Sequence, residues 1–223
     1  MIRFKEPPPT PLDWGNSELH LPCVILVDTS ASMIVIKDEL HKGLNALFNT
    51  LDGLALGRLD ICLIGFGNGA RVLVPFSPVP GLEIPDFECC GEAVINSAIK
   101  MGLSELETQK NQYKTYGTQY LRPWIFMIAS GNVDDNDSDT AGKVDLLQSQ
   151  KSRACSFLPI CVSSDCNKDV IRSLNIDGIY LTTEDFQQAC EWIGNSLNCI
   201  SRLPYQQNVV LPNPNDYDLE LHY

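Results

Sequence analysis

The stretch from Leu21 to Ser32 constrains this chain more than any other. It reads Leu-Pro-Cys-Val-Ile-Leu-Val-Asp-Thr-Ser-Ala-Ser, an apolar run that stops at an aspartate, with serines two and four residues further on. An unbroken apolar run such as Val24-Ile25-Leu26-Val27 suits a strand buried on both faces of a parallel sheet. Asp28, Ser30 and Ser32 then fall in the loop at its carboxyl end, where open α/β sheets place their ligand sites. One carboxylate and two hydroxyls are hard oxygen donors, the type that Mg²⁺ and Mn²⁺ prefer. The same residues also suit a helix N-terminus, where Asp and Ser accept from otherwise unpaired N–H groups. Both readings stand on these residues alone.

The rest of the chain alternates strand and helix patterns. A strand at about 22–28 precedes a helix at about 37–55, whose Leu40, Leu44, Leu47, Leu51 and Leu54 form one apolar stripe. Asp60–Phe66 and Arg71–Val74, joined through Gly67-Asn68-Gly69, read as a hairpin. A proline-rich connector, Pro75 to Pro85, leads to a helix at about 91–110 with Ile95, Ile99, Leu103 and Leu106 on one face. Pro123–Ala129 and Cys155–Val162 are further buried strands, separated by an acidic loop Asp134–Asp139 and a helix at about 140–153. A short helix at about 167–174, a strand Gly178–Leu181 and a helix at about 184–199 follow. Thr183 stands as N-cap of that last helix, with Glu184 and Asp185 in its first turn and Phe186, Cys190, Ile193 and Leu197 as its stripe. The order β-α-β-β-α-β-α-β-α-β-α predicts a doubly wound α/β fold. Its sheet is mostly parallel with one antiparallel edge strand, and helices cover both faces. The predicted domain spans 21–200, with an extended proline-rich arm at 1–20 and an extended tail at 201–223. In the tail, Val209-Val210-Leu211 suits a strand that pairs with a sheet edge or a partner.

A formal net charge of −12 over 223 residues argues against binding to nucleic acid or to anionic membrane surfaces. It suits a cation or a basic protein partner. No apolar run reaches the roughly 18 residues of a membrane span. The charged, proline-rich start does not resemble a secretion signal, which predicts a cytoplasmic protein. Nine cysteines, several inside apolar runs and none in a CxxC pair, predict buried free thiols rather than a disulfide framework or zinc site.

The element order together with Asp28-Thr-Ser-Ala-Ser32 resembles the von Willebrand factor A family. The stretch Arg71-Val-Leu-Val-Pro-Phe-Ser-Pro78 after Gly65-Phe-Gly67 resembles its bacterial stand-alone members of the tellurium-resistance and stress type. The resemblance covers roughly residues 20–200. It implies a metal-ion-dependent adhesion site assembled from three loops. Asp28, Ser30 and Ser32 match the first loop. Cys89-Cys90-Gly91-Glu92 matches the second, with Glu92 where the family has Thr. Ala129-Ser130-Gly131 matches the third, with Ser130 where the family has Asp. The implied ligand set is therefore Asp28, Ser30, Ser32, Glu92 and Ser130, for Mg²⁺ or Mn²⁺. Glu92 can supply the charge Ser130 lacks, can fill the ion position itself, or can point to solvent, and Asp134 and Asp135 lie close downstream. The implied function is a non-catalytic, cytoplasmic protein–protein interaction module. Its partners would include a protein kinase and a protein phosphatase of the same gene cluster, in a stress or defence setting. The alternative is a metal-free structural subunit that docks through its tails and sheet edge.

Other signals are weaker. Asp134–Asp139 has the composition of a calcium loop but lacks its glycine and its final glutamate. His20, His41 and His222 are far apart, with His41 expected on an exposed helix face. No nucleophile elbow, phosphate loop or dinucleotide fingerprint is present. A metal-dependent hydrolase would have to rest on Asp28 and Glu92 alone.

Overall fold

The computed structural model describes residues 3–4, 19–54, 59–79, 81–130, 140–163, 167–202 and 209–223. Its centre is strand β2, Leu21–Asp28, buried along its whole length. Strand β1 is the short Arg3–Phe4. A 3-10 turn, Ala31–Ile36, and helix α1, Lys37–Leu54, follow β2. Then come β3 (Leu59–Gly67), β4 (Gly69–Pro78), α2 (Ile95–Tyr116), β5 (Trp124–Ala129), α3 (Ala141–Lys151), β6 (Ser156–Cys161), α4 (Lys168–Ser173), β7 (Tyr180–Thr182) and α5 (Phe186–Ser201). The main sheet has seven strands in the order β4-β3-β2-β5-β6-β7-β9, where β9 is Glu220–His222. Pairs from β3 through β7 are parallel, and β4 and β9 are antiparallel edges. This is the predicted α/β architecture, with a second antiparallel strand contributed by the tail.

Side-chain alternation on β2 divides the core in two. Cys23, Ile25 and Val27 face the stripes of α1 (Leu40, Leu44, Leu47, Leu51) and α5 (Phe186, Cys190, Ile193, Leu197). Val24 and Leu26 face α2 through Ile95, Ile99 and Leu106, beside Leu146 of α3 and Ile171 of α4. The side chain of Leu54 lies outside the described residues. On β5, Trp124 and Phe126 point the same way and stack at 5.4 Å, and Trp192 of α5 meets Phe126 edge-on at 6.4 Å.

Several local expectations shift. Helix α2 starts at Ile95 rather than 91, because Cys90 and Gly91 spend their backbone groups on neighbouring loops. It runs on to Tyr116 and ends on Gly117 in a left-handed conformation. The cap of α5 is Asp185, which accepts from the N–H groups of Gln187 and Gln188, while Thr183 accepts from Asp185 N–H. His41 is half-buried and stacks on Phe87 at 5.5 Å, against the expectation of an exposed ring.

The tail is built in. Strand β8, Val209–Val210, pairs antiparallel with β1 in a separate two-stranded sheet. Leu211 and Leu219 join the main core, and Trp192 Nε1 donates to the Pro212 carbonyl at 3.1 Å. A 3-10 turn, Pro214–Tyr217, leads into β9, where His222 stacks on Tyr180 at 4.8 Å and bonds Thr182 Oγ1 at 2.8 Å.

Burial pushes the thiols of Cys23 and Cys190 well up, Cys62 to about 12 and Cys155 to about 11. They stay protonated and serve as small hydrophobes. Cys161 is disulfide-bonded, whereas Cys23, Cys62, Cys89, Cys90, Cys155, Cys190 and Cys199 are free thiols. Among the described residues no helix is long and apolar enough to cross a membrane.

Candidate metal centre

Three loops meet at the carboxyl ends of β2, β3 and β5. Thr29 N–H donates to the Phe66 carbonyl at 2.7 Å, and Thr29 carbonyl accepts from Cys90 N–H at 2.9 Å. Asn68 N–H donates to Cys90 carbonyl at 3.0 Å, and Ala31 N–H to Gly91 carbonyl at 2.9 Å. The first two loops are therefore stapled backbone to backbone. Gly91 lies at φ +71° against Asn68, so a side chain there has neither space nor an easy conformation.

Within that frame four predicted residues come together. Asp28 is 0% exposed. Its Oδ1 accepts from Ser30 N–H at 2.8 Å, and its Oδ2 accepts from Ser130 N–H at 3.1 Å and Ser130 Oγ at 2.6 Å. Ser32 Oγ bridges Ser30 Oγ at 2.8 Å and Ser130 Oγ at 3.0 Å. Ser30 occupies the N-cap position of the 3-10 turn, yet its side chain makes no cap bond. Its hydroxyl turns to Ser32 instead, while Asp28 Oδ1 accepts from the Ser30 N–H as a capping carboxylate does. Glu92 is the predicted residue that does not join: it is exposed, and among the described residues its side chain makes no hydrogen bond or ion pair. Asp134 and Asp135 lie outside the described residues.

The chemistry of the cluster follows from its charge. A buried carboxylate is costly unless it is paired with a cation or well hydrogen-bonded. Among the described residues no cation pairs with Asp28, so three hydrogen bonds carry the whole compensation. The donor atoms around it are all oxygens, the type a hard divalent ion takes. By donor chemistry the residues fit such an ion, with Asp28 the sole carboxylate of the cluster. No group of three or more His, Cys, Asp or Glu that suits a metal occurs among the described residues, at the Asp28 cluster or elsewhere.

A second polar cluster, at the opposite end of the sheet, was not read from the sequence. Asp60 at the start of β3 is buried and accepts from His20 Nδ1 at 2.7 Å and from the Tyr113 hydroxyl. His20 is fixed by backbone bonds to Gln119 and Leu121, and Tyr113 stacks on Tyr120 at 5.2 Å. Burial, with the Asp60 carboxylate beside it, holds the Tyr113 phenol well above its ordinary range. It therefore remains a donor. Tyr113→Phe is expected to cost about 2 kcal/mol, the usual worth of a hydrogen bond to a charged group. A urea midpoint unchanged from wild type would show that this pin carries no stability.

No protein-family model matches the sequence, and no curated protein is similar to it. Solved structures do share the fold. The ArnB paralog VWA2 from Sulfolobus acidocaldarius is 15% identical with TM-score 0.55, over 81% of this chain and 46% of that one. The PilB minor pilin from Streptococcus sanguinis is 11% identical with TM-score 0.57, over 83% and 63%. An aerotolerance-related membrane protein from Bacteroides fragilis is 15% identical with TM-score 0.51, over 80% and 98%. The chain thus spans about half to two thirds of the first two. What these proteins share with it at such low identity is architecture, and by that architecture the chain has the von Willebrand factor A fold.

Proposed function

We propose that this chain is a non-catalytic protein–protein interaction module whose contact face is the loop cluster around Asp28. The observation that carries the reading is a fully buried carboxylate with no cationic partner among the described residues, ringed by the hydroxyls of Ser30, Ser32 and Ser130. A weakly held Mg²⁺ or Mn²⁺ belongs to this proposal, with Asp28, Ser30, Ser32 and Ser130 holding it and Glu92 joining by a change of its loop. When bound, such an ion offers an open coordination position to a partner's carboxylate. By resemblance to the tellurium-resistance and stress type, the setting is cytoplasmic, and the partners are a protein kinase and a protein phosphatase of the same gene cluster.

One observation favours a second reading. Both oxygens of Asp28 already accept hydrogen bonds, so the cluster is closed on itself as it stands. A metal-free structural subunit would use it in that form.

Calorimetry separates the two. Titrating Mn²⁺ and then Mg²⁺ into chelator-treated protein is expected to show one site with a dissociation constant on the order of 10⁻³ M, the weak end for sites with few charged ligands. The heat should vanish in Asp28→Ala. Absence of heat in the wild type overturns the ion and leaves the hydrogen-bonded cluster. Cross-linking of the full chain in its native cells, with Asp28→Ala alongside, tests the module itself. An unchanged set of cross-linked species in the variant would remove the contact face from this cluster.

A further inference from the structure

We propose that the Asp28 cluster, in its ion-free form, receives the primary ammonium of a lysine presented by a partner protein. The inference rests on the interaction-module reading and names the group that this contact face takes.

The hydroxyl protons of the cluster are all spent. A carboxylate only accepts, so the bond between Ser130 Oγ and Asp28 Oδ2 consumes the Ser130 proton. The bond between Ser32 Oγ and Ser130 Oγ therefore takes its proton from Ser32. By the same step, the bond between Ser30 Oγ and Ser32 Oγ takes its proton from Ser30. The three hydroxyls thus donate in one direction, toward Asp28, and none keeps a proton for a ligand. Lone pairs remain: Ser30 Oγ keeps both of its own, and Ser32 and Ser130 keep one each. Ser30 is 4% exposed, and its hydroxyl has Ser32 as its one partner among the described residues. Ser32 is exposed and gives access to the chain of hydroxyls. What such a cluster binds is a hydrogen-bond donor. A partner's carboxylate would meet oxygen atoms alone.

Charge selects the donor. Asp28 is fully buried, and no cation pairs with it among the described residues. Hydrogen bonds in a chain polarise one another, so the aligned hydroxyls carry part of its negative charge out to Ser30 and Ser32. The cations on adjoining segments are engaged elsewhere, Lys37 with Asp86 at 3.0 Å and Arg71 with the Glu88 carbonyl at 2.6 Å. Glu92, which follows the Gly91 carbonyl that holds Ala31 N–H, adds an exposed carboxylate beside the same loop. Water supplies donors without charge. An ammonium supplies both, in charge-assisted bonds about twice as strong as neutral ones. Its N–H groups sit on a compact head and suit hydroxyl oxygens spaced 2.8 and 3.0 Å along the chain. The planar fork of a guanidinium matches the paired oxygens of one carboxylate or phosphate instead.

The test uses the full chain in chelator, with the amide NMR signals of Ser30 and Ser130 as readout. The probe is a Gly-Lys-Gly peptide blocked at both ends. Three controls share its scaffold. One carries Nζ-trimethyl-lysine, which keeps the charge and has no N–H. One carries Nζ-acetyl-lysine, which has no charge. The third carries glutamate in place of lysine. The lysine peptide is expected to shift both amides saturably, with a dissociation constant on the order of 10⁻³ M. Each control should bind at least about tenfold more weakly, the worth of one charge-assisted hydrogen bond. Ser32→Ala removes the exposed acceptor and should weaken the lysine peptide by about the same factor. Unchanged melting of that variant shows that it is folded. Absence of a saturable shift overturns the inference. So does equal binding of the trimethyl-lysine peptide, tighter binding of the glutamate peptide, or a Ser32→Ala chain that binds like wild type. The module reading is decided separately, by the cross-linked species of Asp28→Ala, so the two failures are told apart.

Discussion

A Gly67→Ala chain is expected to melt about 10 °C below wild type, a loss of about 3 kcal/mol for a chain of this size. The reason lies in two backbone oxygens. A Cβ on Gly67 would sit 2.5 Å from the carbonyl oxygens of both Cys90 and Thr29. Neither atom is the end of a flexible side chain. Thr29 carbonyl accepts from Cys90 N–H, and Cys90 carbonyl accepts from Asn68 N–H. Relieving the clash therefore means parting the loops that frame Asp28. The same variant should lose any ion or partner bound at that cluster. Gly69→Ala is the matched control. Gly69 has φ +87° with nothing within 4 Å, so its cost is conformational, about 1 kcal/mol. Differential scanning calorimetry on the two variants gives the answer. Equal melting temperatures would mean that the loops are not held by this contact.

The second large effect is expected in the tail. Leu219 is buried within the main core, as are Leu211 and Val209. Leu219→Ala should cost about 3 kcal/mol, in the range for a buried leucine whose site collapses only partly. Removing residues 209–223 takes all three from the core and takes the Pro212 carbonyl from Trp192 Nε1. That truncated chain is expected to lose its cooperative urea transition. A truncated chain with the wild-type midpoint would show that the tail is appended to the domain and not part of its core.

Long-run features were legible because each rests on one local pattern. The apolar runs ending at Asp28 and Ala129 became buried parallel strands. The leucine stripe of α1 became its buried face. Asp28, Ser30, Ser32 and Ser130 could be placed together because strand ends bring their loops to one edge of the sheet. Glu92 shares that edge, but sequence alone does not fix which way a loop side chain points, and this one points outward. The His20–Asp60–Tyr113 cluster was invisible for a different reason. It forms only once the register sets Pro22 opposite Asp60 and α2 lies across them, and no local spacing encodes that. Strand β9 was missed because Glu220-Leu221-His222 is too short and too polar to show alternation. The N-cap of α5 fell to Asp185 rather than Thr183 because Thr183 Oγ1 accepts from Asp185 N–H, which leaves the aspartate to meet the first free N–H groups of the helix.

The placement of β4 and β9 has a consequence for assembly. Parallel strands β2, β3, β5, β6 and β7 are all interior, and each flank of the sheet ends in an antiparallel strand unsuited to further pairing. β4 carries Pro75 and Pro78 and is kinked by register shifts against β3, and β9 is three residues long with a charged start. Such flanks resist the sideways addition of another chain. Copies of this molecule should not zip into ribbons even when concentrated, and a binding partner is steered away from the sheet margins toward the loop-bearing end.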